Sequence, residues 1–309
     1  RKMIFAVVIP IFLLLFLGYL TVKMNLLNKV QIDSVGAFVI KVALPALLLH
    51  ALASKDLKEI WLPSYFLVYA GMTFLLFCLT FWVAKKVFKN TNQAHTAIFS
   101  MGACMSNTGL IGTAVLSLLM GHQATTYISL VVIIESVLLI PAVLILAEMG
   151  LQKQSDLWSV IKSTARTLLT NPLFIAVILG IGCATLKIPL PKYLDQVLGM
   201  LGQAASPLAL FAIGGSLVGL GIRSINVQSI WLVFSNNMLM PLGVYLGLSA
   251  VGVSQEMLYA GTLIAAMPMP TLFGILGQGY GLREEVLTPL MLSTVVGFMV
   301  VSSLIALWW

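Results

Sequence analysis

Ten apolar runs, each near the length that crosses a bilayer, fill almost the whole of this 309-residue chain. A hydrocarbon core about 30 Å thick is spanned by about 20 mostly apolar residues. The runs fall at roughly 3–22, 34–53, 63–84, 95–119, 124–148, 171–187, 193–219, 229–250, 256–280 and 286–309. In lipid a segment must satisfy its own backbone hydrogen bonds, so the runs are expected as helices. The predicted fold class is an all-α membrane protein with the lipid bilayer as its solvent. Only 9% of residues are charged, against about 25% in soluble proteins. That excludes a soluble enzyme, a disordered chain and a nucleic-acid binder. The net charge of +7 does not restore the last class, because no basic cluster is interleaved with aromatics.

Little in the sequence points to metal, disulfide or covalent chemistry. Cys78, Cys104 and Cys183 all lie inside apolar runs and read as small packing residues. His50, His95 and His122 stand alone near span ends, and no ligand spacing is present. No cofactor is expected beyond a transmembrane ion gradient, with protons the expected ion. The first run is too long for the core of a signal peptide, and the start at Arg1 in place of Met suggests a trimmed N-terminus. The longest connection, 149–170, has apolar residues at Trp158, Ile161, Ala165, Leu168 and Leu169, with Lys162 and Arg166 off that stripe. It reads as an amphipathic helix on the membrane surface.

Lys and Arg accumulate in cytoplasmic loops. Lys23, Lys29, Lys85, Lys86, Lys89, Lys153, Lys162, Arg166, Arg223 and Arg283 fall in odd-numbered connections. The termini and even-numbered connections hold fewer: Arg1, Lys2, Lys55, Lys58, Lys187 and Lys192. The bias places both termini outside the cell membrane.

Sliding the chain by 162 residues aligns Pro10, Phe12 and Gly18 with Pro172, Phe174 and Gly180, Ala43 and Pro45 with Ala205 and Pro207, and Gly112 with Gly274. Two five-span halves are therefore expected, 1–150 and 171–309, joined by a linker at 151–170. An odd number of spans per half inverts the second half, as in many secondary transporters.

Spans four and nine look broken at matching positions. The fourth reads Met105-Ser106-Asn107-Thr108-Gly109-Leu110-Ile111-Gly112, and the ninth Met267-Pro268-Met269-Pro270-Thr271-Leu272-Phe273-Gly274. The prolines disfavour helix, Ser106, Asn107 and Thr108 are capping types, and Pro270 suits the first position of a restarted helix. Irregular backbone at membrane depth must be buried or line a cavity. Two restarted helices would aim two positive dipole ends, each about half a charge, at the molecule's centre. That is a site for a small organic anion, with a carboxylate the expected group. The site set is Ser106, Asn107, Thr108, Gly109, Pro268, Met269, Pro270 and Thr271, with Gln203 and Asn236 lining the cavity.

The order of spans resembles that of the auxin efflux carrier family. So do Ala43-Leu44-Pro45-Ala46-Leu47-Leu48, Ser106-Asn107-Thr108-Gly109, the stretch Ala205-Ser206-Pro207 through Gly214-Gly215, and the proline-broken ninth span. That family includes plant PIN proteins and bacterial carriers assigned to malonate or malate. The short central linker is like that of the bacterial members. The resemblance implies a fold related to bile-acid sodium symporters, with two crossing broken helices. It implies that spans 1, 2, 6 and 7 form a scaffold, often dimeric, against which the other spans move as an elevator. It carries the crossover asparagine onto Asn107 and the crossover proline onto Pro268 or Pro270.

Ionisable groups inside spans are functional candidates by default. Lys41 lies one turn before Pro45, either as an anion-attracting charge, as a stand-in for a coupling cation, or snorkelling to the interface. Glu135 lies near the middle of span five, where a carboxylate needs a partner such as Lys41 or a proton to carry. Its repeat equivalent is Gly297, so the charge is not duplicated. Asn237 precedes Pro241 by four residues and reads as part of a proline kink. Together these features predict a secondary transporter of a small organic anion, homodimeric through its scaffold. A channel or a ligand sensor on a carrier fold is the alternative. An intramembrane enzyme would need a nucleophile–base pair or metal ligands at one depth, and none is seen.

Overall fold

Every regular element among the described residues is helical. The computed structural model describes residues 2–53, 61–90, 92–151, 162, 166, 169–170, 172–216, 218 and 225–309. The amphipathic helix expected in the linker falls mainly outside them. Fifteen α-helices are described. They are α1 (Lys2–Lys23), α2 (Lys29–Phe38), α3 (Leu44–Ala53), α4 (Pro63–Lys86) and α5 (Gln93–Cys104). There follow α6 (Thr113–Met120), α7 (Ala124–Ile133), α8 (Ile140–Leu151), α9 (Pro172–Leu186) and α10 (Lys192–Ser216). The last are α11 (Val227–Phe234), α12 (Met240–Val251), α13 (Gln255–Ala265), α14 (Thr271–Gly279) and α15 (Arg283–Trp308). Among the described residues, six stretches are long and apolar enough to cross a bilayer: Lys29–His50, Pro63–Lys86, Gln93–Ala147, Lys192–Ser216, Val227–Val251 and Glu285–Trp308. Leu13–Lys23 and Ile175–Leu186 are shorter apolar helices, and the run at 256–280 is divided between α13 and α14.

Polar caps fix where several helices begin. Asn28 and Gln31 form a reciprocal capping box at α2. Asn92, Asn226 and Ser254 accept from the backbone N–H three residues on, starting α5, α11 and α13. Gly252, at φ 70°, ends α12 in the left-handed region that an L side chain resists.

Within the membrane segments, prolines widen the helix. Val39–Ala43, Ile134–Leu139 and Ser235–Leu239 are π-helical turns, each ending two residues before Pro45, Pro141 or Pro241. Proline has no N–H for the carbonyl four residues earlier. The chain responds with i→i+5 bonds, from the N–H of Leu44 to Val39, of Ile140 to Glu135 and of Met240 to Ser235. Lys41, Glu135, Asn236 and Asn237 all sit in these wide turns, a frequent setting for functional groups.

Glycines set how closely the helices approach. A methyl at Gly18 would collide with the Phe211 carbonyl, and one at Gly214 with the Leu15 carbonyl, so α1 and α10 meet almost backbone to backbone. α3 packs on α9 and α10 around Gly180 and Gly202, which face Leu52 and Leu47. Elsewhere α5 packs between α4 and α8, α12 packs on α4 and α13, and α15 packs on α11 and α14. Many large apolar side chains on the outer surface, among them Phe16, Leu67, Leu75 and Trp82, remain exposed. An apolar surface this extensive belongs in lipid.

Candidate functional site

The two helix breaks meet in the interior. α5 ends at Cys104, residues 105–107 leave helical geometry, and a π-helical turn at Thr108–Gly112 leads into α6. α13 ends at Ala265 and α14 restarts at Thr271, directly after Pro270. The Asn107 N–H donates to the Pro268 carbonyl at 2.8 Å. Pro268 is therefore the proline at the crossing, while Pro270 precedes the restarted helix and its carbonyl accepts from the Phe273 N–H at 3.0 Å. Asn107 also caps the restart: its side-chain oxygen accepts from the Ile111 N–H at 3.4 Å, and its carbonyl from the Gly112 N–H at 2.8 Å.

Glu135, 5% exposed, belongs to the first break. Its Oε1 accepts from the Ser106 N–H at 3.2 Å and from the Thr108 hydroxyl at 3.0 Å. The carboxylate thus takes one backbone donor that the broken helix leaves free, and one side-chain hydroxyl. Lys41 is exposed on its own π-helical turn and makes no ion pair among the described residues, so it is not the partner of Glu135. Its turn nevertheless packs beside Thr108–Gly112, and α10 packs against both. Gln203 is exposed on α10.

At Gly297, the residue that the 162-residue shift of the sequence aligns with Glu135, an added Cβ would lie 3.0 Å from the Pro268 nitrogen. Glu135 and Gly297 therefore each lie against a break. The chemistry explains why only one carries an acid. Pro268 stands where Ser106 stands in the first break, and proline has no N–H to satisfy.

A third group ties the breaks together. Asn236, fully buried, donates from Nδ2 to the Met105 carbonyl at 2.8 Å. Its Oδ1 accepts from the Ser293 hydroxyl at 3.2 Å, and the Ser293 oxygen accepts from the Met269 N–H at 2.9 Å. Ser293, on α15, was not singled out from the sequence. Its only signal there is that it is a small polar residue inside a long apolar helix. Asn237 is also fully buried, and neither of its amide atoms has a hydrogen-bond partner. It sits beside Gly297, at the back of the second break. Gly109 lies within the restarted turn, and Phe273 covers Gly102, where a Cβ would lie 2.7 Å from its ring.

The crossing is apolar around its rim and polar at its centre. Met105, Leu110, Ile111, Met267, Met269 and Phe273 are all buried around it. Two helix starts, two amide side chains and one carboxylate converge there.

A family model described as membrane transport protein matches residues 3–306. The chain is 27% identical over 303 residues to the "Putative malonate transporter" of Rhizobium meliloti (strain 1021), covering 94% of this chain and 93% of that one. It is 24% identical over 304 residues to the "Uncharacterized transporter YfdV" of Escherichia coli (strain K12), covering 96% and 94%. A mouse protein named "Lysosomal cholesterol signaling protein" is 27% identical over 232 residues, covering 70% of this chain and 26% of its own. With one model spanning nearly every residue, and apolar helices that suit a bilayer, the chain is an integral membrane protein and belongs to the membrane transport protein family.

Proposed function

We propose that this protein is a secondary active transporter of a small organic anion, a carboxylate such as malonate, malate or an auxin-like acid, coupled to protons through Glu135. The observation that carries the reading is the buried crossing of the two breaks, joined from Asn107 to Pro268. Each break leads into a helix start, where the partial positive charge favours an anion. The name of the Rhizobium relative supports a dicarboxylate. In this reading the halves 1–150 and 171–309 are inverted five-span repeats joined by the linker at 151–170. The tight packing of α1, α3, α9 and α10 supports a rigid scaffold that dimerises, with the remaining helices moving as an elevator. Met120, Gln123, Glu256 and Trp309 line one surface cavity, which brings the fourth and eighth connections and the C-terminus to one face. That supports the ten-span topology, with this face outside the cell membrane.

Thermal-shift screening of the purified protein against malonate, malate and indole-3-acetate, followed by liposome uptake, tests the reading. Saturable, pH-gradient-driven uptake of at least one acid is the expected result. Conductance without saturation would mean a channel. Binding without translocation would mean a sensor, the reading favoured by the signalling name of the mouse relative.

A further inference from the structure

Two fully buried tyrosines near the crossing have no packing reason to be tyrosine. Tyr65 and Tyr69 lie one turn apart on α4, both 0% exposed; neither hydroxyl makes a hydrogen bond of good geometry, though that of Tyr69 comes close to the Ser106 hydroxyl. Leaving a buried hydroxyl unpaired costs about 1–3 kcal/mol, and phenylalanine would fill the same space without that cost. Such groups call for an explanation.

Their placement supplies one. Tyr65 and Tyr69 stack with ring centroids 6.0 Å apart, and Tyr65 lies 5.4 Å from the ring of Tyr127 on α7. The Tyr127 hydroxyl donates to Glu256 Oε1 at 3.3 Å. Glu256 opens the first turn of α13 and lines a surface cavity of about 370 Å³ with Gln123, Gln255 and Trp309. At the inner end, α4 packs against the π-helical turn that carries Glu135, and both Tyr65 and Tyr69 interact electrostatically with that carboxylate. Ser106 and Thr108 from the break bond to Glu135, and Tyr65 and Tyr69 from α4 and Cys104 from α5 are the titratable groups near enough to couple to it electrostatically. Among the described residues, no cation pairs with either end of this row.

We propose that Tyr127, Tyr65 and Tyr69 form a proton path between Glu256 at the surface cavity and Glu135 at the crossing. The inference rests on the proton-coupling reading of Glu135. A proton arriving at Glu256 reverses the Tyr127–Glu256 hydrogen bond: the Tyr127 O–H turns inward, its oxygen accepts the Glu256 proton, and its own proton passes inward. The same exchange repeats at Tyr65 and Tyr69. Glu135 takes the last proton on its carboxylate, with Oε1 held by Ser106 and Thr108. Each hydroxyl gains one proton and loses one, so the path stays neutral at rest. In this path single waters, the usual partners of otherwise unsatisfied buried polar groups, link one hydroxyl to the next.

The test follows Glu135 directly and needs no transported substrate. Time-resolved infrared spectroscopy of the full protein in liposomes, after a pH jump, records the carbonyl band of the protonated acid. Glu135→Gln assigns the band by its loss. Tyr65→Phe and Tyr69→Phe should each slow the rise of that band at least tenfold. Their melting temperatures should be unchanged or raised, because an unpaired hydroxyl is removed. An unchanged rate in both variants would overturn the path and leave the coupling reading standing. A wild-type spectrum with no band that Glu135→Gln removes would overturn the coupling reading, and the path with it.

Discussion

Asn107 is the residue on which the crossing turns. It donates its N–H across to Pro268 and caps the Thr108–Gly112 turn with its side chain. Replacing an N-cap by alanine costs about 0.5–2 kcal/mol, which a buried, well-packed centre should survive. Asn107→Ala should therefore give a folded protein of normal size that no longer takes up substrate, and wild-type uptake would remove the crossing as the binding site. Glu135→Gln poses a different question. Glutamine retains one side-chain oxygen for the Ser106 N–H and the Thr108 hydroxyl, which share Oε1 in the native protein. The variant should fold, lose uptake driven by a pH gradient, and keep exchange between equal substrate pools, since exchange moves no net proton. Because Lys41 is exposed and apart, no buried lysine is left unpaired by this change.

At the scale of the element, prolines shape the membrane helices in two ways. Pro45, Pro141 and Pro241 only widen a turn, and the chain recovers its hydrogen bonds through i→i+5 pairs. Pro268 and Pro270 stand two residues apart, remove two donors within one turn, and the helix stops altogether between Ala265 and Thr271. Pro268→Ala with Pro270→Ala should let α13 and α14 join. The second dipole end would then be lost, and affinity measured by calorimetry should fall by far more than the expression level. Unchanged affinity would leave this segment a bend without a binding role.

For the molecule as a whole, the close approach of α1 and α10 is the least forgiving contact. Gly214→Val would drive its Cβ into the Leu15 carbonyl, and backbone cannot yield as a side-chain tip can. Overpacking commonly costs about 1–3 kcal/mol. The melting temperature in detergent should fall clearly, whereas a valine at Gly71, where a Cβ meets nothing within 4 Å, should leave it near wild type. Equal melting of the two variants would mean that the α1–α10 seam does not carry the stability assigned to it.

The sequence alone determined that this chain lives in a bilayer, because composition and run length depend on no contact. It also located the two breaks and their 162-residue spacing, because proline, glycine and capping residues act on the backbone next to them. Membership of the transporter family was legible from the same motifs. Only the tertiary structure decided which proline meets Asn107, that Glu135 serves the break rather than Lys41, and that Asn236 and Ser293 lock the two breaks together. The side-chain bonds among these join residues 24 to 131 positions apart, and Asn107 and Pro268 lie farther apart still. No local propensity encodes such distances. They follow from how closely glycines let the helices approach, and from the demand that every buried donor find an acceptor.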